Sequence, residues 1–131
     1  MDIRSKQRAV VEALEDIKGK DIIVYNTARM PSMFERVVIA SGDSNRQVRA
    51  LADNVQERVR QNGARVYGVE GEKSGEWVLV DLGDVVVHVM LPRVREFYAL
   101  ERLWTVGDQP PDEIDEYGDD HRGESDAEEQ L

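Results

Sequence analysis

The chain has 131 residues, 34% of them charged, with 27 acids against 17 bases, two histidines and no cysteine. That length allows one domain and buries a core without staples. The absence of cysteine excludes a disulfide frame, a thiolate zinc site and a cysteine nucleophile. No apolar run is long enough for a signal peptide or a membrane span, so a soluble cytoplasmic protein is expected.

Ile3, Val10, Leu14 and Ile17 recur at helical spacing among charges, which predicts an amphipathic helix over 3–18 closed by Gly19. Asp21 to Tyr25 reads as a central strand, and Asn26 to Met33, with Met30-Pro31, as a loop. Phe34 to Ala40 gives a second strand, ended by Ser41-Gly42-Asp43. Ser44 with Gln47 fits a capping box ahead of the stripe Val48, Leu51, Ala52, Val55 and Val59, and Asn62-Gly63 ends that helix. Arg65 to Val69 is a short third strand and Glu70 to Gly75 a charged loop. Two strands follow, Trp77 to Leu82 and Val85 to Leu91, around a Gly83-Asp84 turn. Pro92 opens a last helix with Phe97, Leu100 and Trp104 central on its apolar arc and Tyr98 and Leu103 at the flanks. The order predicts a single α/β domain, residues 1–104, with a mixed sheet of about five strands flanked by helices. Residues 105–131 bring Gly107, Pro110, Pro111 and then acids with few apolar side chains, a composition that predicts a disordered tail.

The charge divides at the same place. Of the 27 acids and 17 bases, eleven acids and one base fall in residues 108–131, leaving sixteen of each in residues 1–107. A neutral body with a polyanionic tail is poorly suited to gripping phosphates. The partner expected from charge is therefore a protein, with little direct nucleic-acid contact. A solubilising role without a dedicated partner is the expectation for the tail, and a specific contact is the alternative.

With Gly83 and Asp84 as a two-residue loop, Leu82 faces Val85, Val80 faces Val87 and Val78 faces Val89, and this face is wholly apolar. The opposite face carries Trp77, Leu79, Asp81, Val86, His88 and Met90. That mixture fits a docking surface. It equally fits a face covered by a helix with its polar pair satisfied internally. Asp81, Asp84 and His88 are the one constellation resembling a metal or acid–base site, but Asp84 sits in the turn and three converging ligands are wanted, so neither metal nor cofactor is expected. Ser41-Gly42-Asp43-Ser44 at a strand-to-helix junction could present N–H groups to a phosphate, although Ser44 as a helix cap explains it fully. No serine is positioned as a nucleophile.

Three stretches carry a resemblance: DIIVYNTARMPSMFERVVIASGDSNRQVRALAD, VEGE at Val69 to Glu72, and GEWVLVDLGDVVVHVMLPRVREFYALERLW. In this order they resemble the ribosomal silencing factor family, RsfS or Iojap, over Ile3 to Trp104. The resemblance implies a nucleotidyltransferase-like topology. The Gly42-Asp43-Ser44 turn and the lack of any Asp-x-Asp imply that the catalytic carboxylates of such enzymes are missing. It further implies a translation repressor rather than an enzyme. Such proteins bind the fourteenth protein of the large ribosomal subunit at the intersubunit face and block subunit joining when nutrients are short; homodimers also occur in such a family. The contact residues expected here are Glu70, Trp77, Asp81, His88, Tyr98 and Glu101. The alternative is a metal-dependent nucleotide-binding or nucleotidyl-transferring enzyme using Gly42 to Ser44 and Asp81.

Overall fold

The computed structural model describes residues 1–28, 34–98 and 112–114, with the backbone alone for residues 97, 98 and 112–114. In chain order the elements are α1 (Ile3–Asp16), β1 (Lys20–Asn26), β2 (Arg36–Ser41), α2 (Asn45–Gln61), β3 (Gly68–Glu70), β4 (Trp77–Asp81), β5 (Val85–Met90), α3 (Pro92–Tyr98) and β6 (Asp112–Ile114). The strands form one sheet in the order β3-β4-β5-β2-β1-β6. Only β2 and β5 run parallel, and every other neighbouring pair is antiparallel. The mixed α/β sheet expected from the sequence is therefore present. Leu100, Glu101, Leu103 and Trp104 lie outside the described residues, as does the loop over 29–33.

Side-chain alternation divides the sheet into two unlike faces. On the first, Val24, Val38, Ala40, Val78, Val80, Leu82, Val85, Val87 and Val89 are buried. The apolar stripes of α1 (Val10, Leu14) and α2 (Val48, Leu51, Val55, Val59) complete this core, each fully buried. Full burial of such a side chain is worth about 2 kcal/mol, so the stripes dominate the helices' hold on the sheet. Two polar side chains fix α1 in place. Gln7 Oε1 accepts from Arg36 Nε at 3.2 Å, and Lys6 Nζ donates to Leu82 O at 3.0 Å and to Asp84 Oδ1 at 2.7 Å.

The helix ends show how local chemistry sets the boundaries. Asp2 caps α1 by accepting from Ser5 N at 2.8 Å, a bond that holds its carboxyl below the usual range. Ser44 Oγ accepts from Gln47 N at 3.1 Å, while Gln47 Oε1 accepts from Asp43 N at 2.7 Å, one residue further back than a capping box requires. Helix α1 closes earlier than expected, and not through a left-handed glycine. Lys18 N donates to Glu15 O and Gly19 N to Leu14 O, the paired bonds of a Schellman motif. The left-handed position is Lys18, with φ 60°. Gly19 is needed for space instead, since a Cβ there would stand 3.0 Å from Leu14 O and 3.1 Å from Leu51 Cδ2.

One strand falls inside the segment expected to be disordered. Val24 pairs with Ile114, Tyr25 with Glu113 and Asn26 with Asp112. Composition speaks to burial, and three edge residues can join a ladder through backbone bonds alone.

Because Lys18 occupies a conformation that costs a side-chain residue about 1 kcal/mol or more, Lys18→Gly is expected to stabilise the fold by about 1 kcal/mol. Urea unfolding with an unchanged slope checks this; an unchanged midpoint would show that the Schellman bonds already offset the strain.

Candidate functional site

The second sheet face is where the structure departs from an ordinary core. The β4–β5 register is Trp77↔Met90, Val78↔Val89, Leu79↔His88, Val80↔Val87 and Asp81↔Val86, with Leu82 N bonded to Val85 O at 2.9 Å across the expected two-residue turn. Burial on this face is graded. Val37, Ile39, Val86 and Met90 are closed off and His88 is only 7% exposed, whereas Trp77, Leu79 and Asp81 are half-buried. The β2–β5 half is thus covered and the β4 half is open. Helix α3 lies at this face, where Arg95 Nη1 donates to Ser41 Oγ at 3.2 Å and to Asp21 O at 2.7 Å.

Glu70 pairs with Leu79 across β3 and β4, so Glu70, Leu79, His88 and Ile39 form one row across the sheet on this face. Glu70 is exposed at its outer end. An open hollow of about 280 Å³ is lined by Glu70, Gly71, Trp77 and Leu79. The indole is fixed from below: Trp77 Nε1 donates to His88 Nδ1 at 3.0 Å, with ring centroids 5.9 Å apart at 47°. Because Nδ1 accepts, the neutral imidazole carries its proton on Nε2. Burial penalises the imidazolium and lowers the His88 pKa to about 4.

The loop over 71–75 begins at the hollow, where Gly71 forms part of the wall, and two side chains of α2 hold the loop. Arg49 Nε donates to Glu72 O at 2.8 Å and Nη2 to Lys73 O at 2.6 Å, while Asn45 Nδ2 donates to Ser74 O at 2.6 Å. Within the loop, Gly75 N donates to Gly71 O at 3.1 Å and Glu76 N to Ser74 Oγ at 3.2 Å. The two glycines have φ 90° and 69°, and a Cβ on Gly71 would stand 2.0 Å from Trp77 O. Sequence reasoning passes over Arg49 and Asn45. Their signal is faint: two polar residues one helical turn apart, facing a loop that opens and closes on glycine.

The other singled-out residues have structural partners. Asp81 Oδ1 accepts from Gly83 N at 2.9 Å, which braces the turn, where Gly83 has φ 93°. Asp84 is held by Lys6 on the other side of the sheet from His88, so Asp81, Asp84 and His88 do not converge. Among the described residues no group of three or more His, Cys, Asp or Glu is placed to hold a metal ion. At the Gly42 turn the Asp43 carboxylate lies 2.6 Å from Lys20 Nζ, a hydrogen bond that raises the Lys20 pKa. A Cβ on Gly42 would crowd Val48 N and Val48 Cγ2, each at 3.1 Å, so packing of α2 accounts for that glycine. The Tyr98 side chain and all of Glu101 lie outside the described residues.

A small α/β domain with α1 and α2 on one sheet face, and α3 and a half-open aromatic hollow on the other, is what these elements define. The family described as ribosomal silencing factor during starvation matches residues 1–131, and the chain belongs to that family. It is 56% identical over 111 residues to the ribosomal silencing factor RsfS of Chromobacterium violaceum, covering 85% of this chain and 89% of that protein. Its identity to the Bacillus subtilis protein of the same name is 36% over 115 residues, covering 88% and 96%. A crystal structure of a Chromobacterium violaceum protein superposes with TM-score 0.78 at 57% identity, covering 79% of this chain and 87% of that one. The mouse mitochondrial assembly of ribosomal large subunit protein 1 is 32% identical over 100 residues, covering 74% of this chain and 44% of its own length.

The depressed His88 pKa makes stability depend on acidity with a definite sign. The unfolded imidazole, near 6.5, binds a proton more readily than the folded one, near 4. Stability is therefore complete above pH 6.5 and is lost as pH falls towards 4, by at most about 3 kcal/mol. Urea unfolding across this window should show that slope, and His88→Asn should remove it. Parallel curves for the two proteins would assign the acid sensitivity to carboxylates instead.

Proposed function

We propose that this chain docks on the large ribosomal subunit through the Trp77 hollow and so prevents the small subunit from joining, lowering translation when nutrients are short. The observation that carries the proposal is a half-exposed tryptophan locked by a buried imidazole beside an exposed carboxylate. A rigid aromatic anchor loses little conformational freedom on binding, and such residues dominate interface energetics. Glu70, at the outer end of the row, supplies the charge for a basic protein surface. The partner it fits is the fourteenth protein of the large subunit, with little direct contact to nucleic acid. The names of relatives are in keeping with this, the mouse protein being named for assembly of the ribosomal large subunit.

Trp77 and Glu70 make the contact in this proposal, together with Tyr98 and Glu101. His88 and Asp81 support it, one through the indole and the other through the turn. The body over residues 1–104 binds, and the acidic residues 105–131 form an appendage. No described helix is long and apolar enough to cross a membrane, and the site of action proposed is the cytoplasm.

Sedimentation of the full chain with purified large subunits tests the proposal. Trp77→Ala should weaken binding by roughly 30-fold, equivalent to about 2 kcal/mol, and Glu70→Lys should weaken it less. Light scattering on mixing the subunits should show joining suppressed by the unaltered chain and restored with Trp77→Ala. Undiminished binding by a folded Trp77→Ala protein would move the contact away from this hollow.

A further inference from the structure

The loop over 71–75 is held in a way that its neighbours do not require. The two α2 side chains bind three successive backbone carbonyls, those of Glu72, Lys73 and Ser74. Carbonyl recognition fixes the path of the chain while leaving the Glu72 and Lys73 side chains exposed. Gly71 at one end lies against the Trp77 carbonyl so closely that no Cβ fits. Gly75 at the other end is confined less tightly, with Asn45 O at 2.9 Å and the Arg49 guanidinium at 3.0 Å from where its Cβ would stand. The guanidinium, the loop, Gly71 and Trp77 thus form a continuous mechanical chain that ends at the hollow.

We infer that Arg49 is a positioning residue for partner docking: it sets the loop in its binding conformation before the partner arrives, so the wall that Gly71 gives the hollow is preformed. This rests on the docking proposal above and names a determinant that lies on α2, outside the hollow. The physical argument is preorganisation. A loop free in the unbound protein must be ordered on binding, and each immobilised side chain or loop segment lowers affinity. A planar guanidinium holds two carbonyls in a fixed fork, a geometry that the ammonium on its flexible stem does not reproduce.

The test uses the full chain with Arg49→Met, which keeps a long helix-forming side chain without the donors, alongside Arg49→Lys and Trp77→Ala. Hydrogen exchange at the Gly75 and Glu76 amides reports the loop, and titration with purified large subunits reports affinity. Expected for Arg49→Met are faster exchange at those two amides and binding weakened by about tenfold, with Arg49→Lys between it and the unaltered chain. Unchanged exchange would overturn the inference, because the clamp would not be what orders the loop. Faster exchange with unchanged affinity would overturn it too, since the loop would not be part of the docking wall. If Arg49→Met weakens binding while Trp77→Ala does not, the inference stands and the Trp77 hollow fails as the anchor. If Arg49→Met does not fold, Gly75→Ala displaces the loop from its other end, and the same two measurements decide.

Discussion

Everything distinctive about this domain depends on the register of the β4–β5 hairpin. Strand side chains alternate, so a slip of one residue would exchange the wholly apolar face of Val78, Val80, Val87 and Val89 with the mixed face of Trp77, Leu79 and His88. Three interactions hold that register. Gly83 takes φ 93°, which the tight turn needs and which other residues resist. The Asp81 carboxylate accepts the Gly83 amide. Lys6, from the first turns of α1, reaches across to Leu82 O and Asp84 Oδ1. The ammonium lies on a largely buried stem, so its two bonds there offset a desolvation cost that an incorrect register would leave uncompensated.

The same register creates an asymmetry that a uniform core lacks. On β5 the mixed face is closed, and on β4 it is half open. Trp77 and His88 straddle that border, one donating and the other accepting, at 3.0 Å. A buried imidazole lacking an acceptor role would be costly, and a half-exposed indole lacking a fixed donor bond would be free to turn. Each removes the other's cost. The pair is therefore a structural bond on the core side and a fixed apolar surface on the solvent side, and this lets a domain of modest size hold a large aromatic ready without exposing a wide greasy patch.

Much of this was legible in the sequence because the signals were local. Period-two valines flanking Gly83-Asp84 gave the hairpin and its faces, and Ser44 with Gln47 gave the start of α2. The parts that were not legible depend on distant neighbours. Gly19 reads as a left-handed cap, but the cap is Lys18, and Gly19 answers to the approach of Leu51 from another helix. Alternation alone fits His88 equally to an exposed docking face and to a covered one, and it is β2 and its surroundings that bury it. Arg49 has no pattern of its own in the α2 stripe; its meaning comes from a loop 24 residues away at Lys73. The strand Asp112–Ile114 is invisible to composition because strand pairing is made by backbone groups, which composition does not report.

Charge completes the division of labour. The balanced body means that the local field at the hollow is set by nearby groups, not by the protein's overall charge. Glu70 is exposed there, Glu72 and Lys73 are exposed together in the loop that follows, and Glu76 is paired with Arg93 at 3.1 Å. An exposed carboxylate such as that of Glu70 attracts a basic surface only over about one Debye length. The polyanionic segment, by contrast, repels phosphate-rich surroundings at longer range at low salt and is screened at physiological salt. Under the docking proposal, attraction at short range and weak repulsion at long range together favour a basic protein patch over bare nucleic acid, and discrimination comes from Trp77 and Glu70 rather than from the net charge of −10.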